Sequence, residues 1–178
     1  STLPAYTLFE NATGGCLDSM AAALAGFRHL GGSENISKPL GRAKARVFES
    51  LTLAKCHGDA REWRLWVDSI AKPIDYYKAG MPCTDYASLG SKLGMNGTRG
   101  GDLFVEQLRF IAHTKPKICR LEMVPSALST NDGEEVRLVL EGLEILGYEV
   151  HARIIECWRY GDPSSRKRLF IIAISEQL

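Results

Sequence analysis

The stretch Gly80-Met81-Pro82-Cys83-Thr84 sets a cysteine directly behind a proline among turn-forming residues, and the run KICRLEMV sets a carboxyl group, Glu122, among apolar neighbours. A thiol and a carboxyl group are the elements of nucleophilic catalysis: the thiolate attacks an electron-poor carbon, and the acid neutralises the charge that then develops. Each group also has a plainer reading. Most free cysteines are small buried hydrophobes, and most glutamates are solvated. Glu122 is the more telling, because an unpaired carboxylate is costly in an apolar strand and such groups cluster at functional sites. A third polar run, Ser164-Ser165-Arg166-Lys167-Arg168, taken alone is a solvated hairpin turn.

These groups need a scaffold that brings distant loops together, and the pattern along the chain supplies one. AYTLF reads as a short buried strand, NATGG as a turn, and CLDSMAAALAGF as a helix. PLGRAKARVFESLTLA is a second helix, with Val47, Leu51 and Ala54 expected on its buried face. IDYYKAG is a strand leading into the Cys83 loop. GGDLFVEQLRFIAHTKP is a helix that Asp102 is suited to cap and Pro116 ends. KICRLEMV is strand-like, and DGEEVRLVLEGLEILGY is a helix with acidic residues at its start and Gly147 at its close. EVHARIIECW and RLFIIAIS are β-rich and predict a terminal antiparallel hairpin. Strand-helix alternation of this kind predicts an α/β fold with an open, mostly parallel twisted sheet and helices on both faces. Ligands of such sheets sit at the carboxyl ends of the strands, where both the Cys83 loop and Glu122 fall.

With 178 residues, 45% hydrophobic and 24% charged, and with no repeat or linker, the chain predicts a single domain over 1–178. Lysine and arginine total 22 against 21 acidic residues, so no global field draws it to nucleic acid and any such binding must rest on local clusters. The five cysteines are odd in number, widely spaced and without C-x-x-C pairs, which points to a reducing, intracellular setting, nuclear or cytoplasmic. No apolar run is long enough to span a membrane and no secretory signal opens the chain, so it reads as soluble. Cys16, Cys56, Cys119 and Cys157 are assigned to packing, the four histidines to surface or satisfied positions, and the three tryptophans to the core. No histidine or cysteine spacing suits a metal.

The ordered set of motifs resembles the DNA (cytosine-5) methyltransferases. GMPCTDYASLG is similar to that family's G-x-P-C nucleophile loop, RLEMV to its Glu-Asn-Val strand, and YGDPSSRKRLFIIAI to its Gln-x-Arg-x-Arg segment. The resemblance runs from about Leu8 to Ile174. It implies a Rossmann-like methyltransferase fold, S-adenosylmethionine as cofactor and a cytosine flipped from DNA as substrate. It further implies that Cys83 attacks carbon six, that Glu122 holds and protonates the ring nitrogen beside the exocyclic amine, and that Arg166 and Arg168 anchor the base edge and nearby phosphates. For the cofactor it implies Phe9, Gly14 and Gly15 in the first motif, Glu34 at the ribose, Asp59 at the adenine, and Pro82 and Leu103 completing the pocket. Two departures stand out: Asn11 replaces a glycine in FENATGG, and Ser164 replaces the glutamine after Pro163.

In the resembled family a target-recognition region and a returning helix follow the third motif, whereas this chain ends at IIAISEQL and begins without methionine. Three expectations follow. The chain is a fragment, or a second chain supplies target recognition, or it is a reduced homologue that no longer methylates. Two readings compete with DNA methylation: a non-catalytic subunit or scaffold of the same fold, and the same chemistry on RNA, since nothing in the sequence reads the sugar.

Overall fold

The structure is a computed structural model and describes residues 6–12, 17–80, 101–161 and 163–178. Strand β1, Thr7–Asn11, is buried at all five residues. It is followed by α1, Leu17–Leu24, and β2, Arg28–Ser33. Helix α2, Pro39–Thr52, opens with a proline in its first turn and ends at Leu53 in the left-handed conformation. The two-residue strand β3, Cys56–His57, and two short 3-10 turns, Ala60–Leu65 and Val67–Ser69, lead to β4, Tyr76–Gly80. Then come α3, Gly101–Thr114, β5, Ile118–Met123, α4, Glu134–Ile145, β6, Tyr148–Glu156, and β7, Lys167–Ser175.

The seven strands form one sheet in the order β3-β2-β1-β4-β5-β7-β6. All pairs from β3 to β5 are parallel; β7 is antiparallel to both β5 and β6. The predicted hairpin is therefore present, but its second strand inserts between β5 and the first. That insertion carries the Arg166–Arg168 segment to the end of β5.

Side chains alternate across the sheet. One face, covered by α3 and α4, is a dry core containing Phe9, Tyr77, Phe110, Leu121, Val139 and Ile171. On the other, α2 packs Phe48 over β2 and β3, while α1 lies against charged residues. There Lys78 Nζ meets Glu10 Oε1 at 3.0 Å, and Asp18 of α1 pairs with Arg120 of β5. Burial pushes the Glu10 carboxyl up, with Lys78 and Ser19 opposing it; burial also pushes Asp18 up, but Lys78 and Arg120 outweigh it and hold Asp18 below the usual range. Among the described residues no helix is long and apolar enough to cross a membrane.

Two local expectations are corrected, and one strand, β2, was not foreseen. Helix α2 buries Gly41, Ala45 and Phe48, while Val47 is 48% and Leu51 42% exposed. Small residues decide that face: a side chain at Gly41 would stand 1.7 Å from the Asn35 carbonyl oxygen, so only glycine admits the crossing chain. Strand β2 was not legible because RHLGGS carries two glycines, which are depleted in strands. Gly31 leaves little room for a side chain there, since a Cβ would meet Phe9 Cε2 at 3.0 Å. Asp102 lies within the first turn of α3 and holds Arg61 with both oxygens, at 2.7 and 2.9 Å.

Candidate active site

Glu122 ends the exposed-side row of β5, two residues after Arg120, and its register partner on β4 is Gly80, the last residue of that strand. On its other side β7 runs antiparallel, with Phe170 opposite Glu122. Pleating puts Arg168 on the same face as Phe170, so it reaches Glu122 across the ladder. Arg168 Nε donates to Glu122 Oε1 at 3.1 Å, and Arg166 Nη2 donates to the same oxygen at 2.8 Å. Side-chain exposure is 20% for Glu122, 21% for Arg168 and 48% for Arg166, so the inner arginine is the more shielded. The structure thus brings Glu122 together with two arginines more than forty positions away in sequence. Ser164 Oγ accepts from the Arg166 backbone N–H at 3.3 Å. Cys83 and Pro82 lie outside the described residues.

The second cluster stands at the carboxyl ends of β1, β2 and β3. Glu34 directly follows β2; its backbone N–H donates to the His57 carbonyl at 3.3 Å, and its Oε1 accepts from the Asn35 N–H at 3.1 Å. Asp59 caps the turn after β3, accepting from the Arg61 N–H at 2.9 Å, and Asn35 Nδ2 donates to its second oxygen at 2.9 Å. Asn35 therefore bridges the two acids. Arg61 also pairs with Asp59 at 3.1 Å, and its hydrogen bond to Asp102 raises its pKa most, so it stays charged. Phe9 is wholly buried, its ring stacked with Trp66 and Phe110 at 5.6 and 5.4 Å. Leu103, on α3, is also buried. Gly14 and Gly15 lie outside the described residues.

Sequence reasoning missed a buried polar network beneath this cluster. Asn11 Nδ2 donates to Tyr77 Oη at 2.8 Å and to Gln107 Oε1 at 2.9 Å, while Ser33 Oγ donates to Asn11 Oδ1 at 2.5 Å. Burial raises the Tyr77 phenol well above its ordinary value, so it remains a neutral partner. The signal was the asparagine itself, the last residue of an otherwise apolar strand. Asn35, Arg61 and Asp102 were missed because each draws its importance from partners across the fold.

The histidine and tryptophan expectations also need correcting. His29 is buried with Nε2 unpartnered, and burial, with Lys78 adding to it, lowers its pKa to about 4. His57 stacks on Trp66 at 4.9 Å. Trp63 is in the core, but Trp158 is 55% exposed. Cys56 and Cys119 are buried and Cys157 is half-buried, whereas Cys16 lies outside the described residues. Burial pushes the Cys119 thiol up to about 12, which leaves it unreactive. Among the described residues no group of three or more His, Cys, Asp or Glu is placed to hold a metal ion.

A family model for C-5 cytosine-specific DNA methylase matches residues 17–178. The chain belongs to that family. The match takes in Glu34, Asp59, Cys83, Glu122, Arg166 and Arg168, and begins after Phe9, Gly14 and Gly15. Similar relatives include the type II methyltransferase M.MspI of Moraxella, 32% identical over 58% of this chain and 25% of its own length. Another is M.NgoBI of Neisseria gonorrhoeae, 29% identical over 86% of this chain and 47% of its own. The chain thus spans between a quarter and about half of these methylases. Two solved structures share the fold. A prophage-encoded E. coli protein assigned as a DNA modification methyltransferase superposes with a TM-score of 0.75 at 17% identity, over 97% of this chain and 47% of its own. The S. pombe Dnmt2 methyltransferase gives 0.68 at 14%, over 97% and 50%. The methylase sheet here is accordingly Rossmann-like, mostly parallel with an antiparallel end.

Proposed function

We propose that this chain carries the catalytic half of a cytosine-5 methyl transfer on DNA, with Cys83 as nucleophile and Glu122 as acid. The observation that supports it most is the Glu122–Arg166–Arg168 cluster at the end of β5, with Gly80 in register beside Glu122. Cys83 follows Gly80 by three residues in the sequence. Its thiolate adds to carbon six of an extruded cytosine, Glu122 gives a proton to the ring nitrogen, and the electron pair is directed to carbon five. Carbon five takes the methyl group as the methyl's bond to the donor's sulfonium sulfur breaks, leaving a neutral thioether. Loss of the carbon-five proton to water then re-forms the double bond and expels the thiolate, and the ring nitrogen returns its proton to Glu122. Both arginine bonds to Glu122 fall on Oε1, so among the described residues Oε2 is the oxygen free to face a base.

The methyl group comes from S-adenosylmethionine, the donor that family membership implies. The donor set fits that ligand: Glu34 and Asp59, held at one corner by Asn35, offer carboxylate acceptors for ribose hydroxyls and an adenine amine. Target recognition and most of the phosphate grip belong, in this reading, to sequence the relatives have beyond the span matched here, in the same chain or in a second one.

A non-catalytic subunit is the second reading. Asn11, locked in its buried network where the resembled motif has glycine, favours it. Covalent trapping on a 5-fluorocytosine oligonucleotide, as DNA and as RNA, separates the readings: an adduct formed by the native chain and lost in Cys83→Ser supports catalysis. Calorimetry with S-adenosylmethionine gives the second measure, and no heat at millimolar ligand together with no adduct selects the scaffold.

A further inference from the structure

The tip of the β6–β7 hairpin spends its aromatic residues on solvent. The ladder ends at the Glu156–Lys167 pair, and the Cys157 N–H donates to the Arg166 carbonyl at 2.9 Å, so the tip opens directly from the strand carrying Arg168. Its first residues form a single 3-10 turn, Cys157–Tyr160. Within it Trp158 is 55% and Tyr160 77% exposed, whereas Trp63 is 5% exposed and sits in the core. Scattered exposed apolar residues need no explanation, but two aromatics flanking an arginine on one short turn form a surface. The Arg159 guanidinium lies over the Trp158 ring, 5.2 Å from its centroid. Glu156 fixes that arrangement, accepting from Arg159 at 2.7 Å and pairing with Lys167 at 2.8 Å.

The charge is as local as the aromatics. Residues 159–168 hold four cations and one acid in a chain whose net charge is only +1. Arg166 and Lys167 are about half exposed, and Arg166 with Arg168 clasps Glu122. A basic, aromatic tip therefore adjoins the cluster proposed to receive the base. Exposed ring faces interleaved with guanidinium groups recognise unpaired nucleotides, because bases stack on aromatic side chains only when they have left their own stack. A duplex keeps those faces covered, except where extruding one base exposes its neighbours.

We propose that Trp158, Arg159 and Tyr160 form a stacking platform for unpaired DNA bases beside the target cytosine, with Arg166 and Lys167 on the adjoining phosphates. This rests on the proposed function and extends it from the reacting base to its neighbours in the strand. The test is binding of the full chain to fluorescein-labelled oligo(dT), which lacks cytosine, and to a blunt duplex. Trp158→Ala and Tyr160→Ala are each expected to weaken oligo(dT) binding by about ten-fold, the scale of one lost base stack, and duplex binding by less than about two-fold. Trp158→Phe, which keeps a ring face, should retain most of the affinity. The proposal is overturned if native chain does not bind oligo(dT), if Trp158→Ala binds it like native, or if Trp158→Phe is as weak as Trp158→Ala. A Trp158→Ala effect on oligomeric state by light scattering, without one on oligo(dT), also overturns it and makes the tip a protein contact. Trapping on 5-fluorocytosine is scored separately: no adduct with Trp158-dependent oligo(dT) binding removes the catalytic reading and keeps the platform, while a native adduct with Trp158-independent binding does the reverse.

Discussion

At β5 and β7 the polar groups stand on, or for Arg166 just before, strands paired continuously from Ile118 to Met123, and they meet as a charged cluster with one carboxylate between two guanidinium groups. At β2 and β3 the ladder is two residues long, and Glu34 and Asp59 stand on the loops just beyond it, held by Asn35 and backbone amides. The first arrangement is rigid because register fixes which side chains can meet. The second depends on what lies beneath it, the Asn11–Ser33–Tyr77–Gln107 network that ties the ends of β1 and β2 to β4 and α3. Charge placed by pairing suits a centre that stabilises a developing charge, since preorganised groups need not reorganise during reaction. Neutral hydrogen bonds under loops suit a pocket that holds a ligand without reacting with it. The two ends should therefore fail differently, one in turnover and the other in stability and cofactor affinity.

The largest expected effect lies at the charged end. Glu122→Gln keeps the shape and loses the deliverable proton, so methyl transfer should fall by about 100-fold or more while the melting temperature moves little. Wild-type turnover in this variant would remove Glu122 from the chemistry and leave the arginine cluster as a structural tie.

The contrasting experiment is at Asn11. Asn11→Gly restores the residue type of the resembled motif but strands Tyr77 Oη, Gln107 Oε1 and Ser33 Oγ, so urea denaturation should show a loss of about 3 kcal/mol. S-adenosylmethionine binding should weaken with it. Unchanged stability alongside stronger cofactor binding would instead mark Asn11 as a plug in the pocket.

Acid should reach the β1–β3 end through His29. Its pKa is about 4 in the native protein against 6.5 for the free side chain, so between these values the unfolded chain takes up more protons. Stability is then full above pH 6.5 and declines as pH falls through 4, by about 3 kcal/mol in all. His29→Leu should flatten that slope in denaturation curves collected across the window, and a slope unchanged by the substitution would assign the acid sensitivity to other groups.

The smallest effect separates the two arginines. Arg168, the more shielded, should cost about ten-fold in turnover when changed to methionine, and the more exposed Arg166 about three-fold, following the usual gap between shielded and exposed ion pairs. Equal losses would show that shielding is irrelevant to what each arginine contributes.

Much of this molecule was legible in one dimension. Periodicity placed nearly every helix and most strands, because a buried stripe must recur at the period of its backbone. Motif order carried the residue types and implied the family, and the terminal hairpin followed from two β-rich runs around a polar loop. The failures share a cause. Val47 and Leu51 were expected inside because they are apolar, but α2 turns Gly41 and Ala45 inward, where small size and not hydrophobicity decides the packing. RHLGGS forms a strand despite its two glycines, paired with β1, and at Gly31 the strand fits closely against Phe9. Trp158 was assigned to the core on residue type alone, and the hairpin tip holds it in solvent. Sequence by itself determined which groups are available and which elements carry them, since propensity and period are local properties. Only the tertiary structure decided that β7 inserts between β5 and β6, that one carboxylate oxygen of Glu122 receives two arginines, and that Asn11 ties β1 to β2, β4 and α3. Those facts depend on contacts between residues tens of positions apart, and no local pattern encodes them.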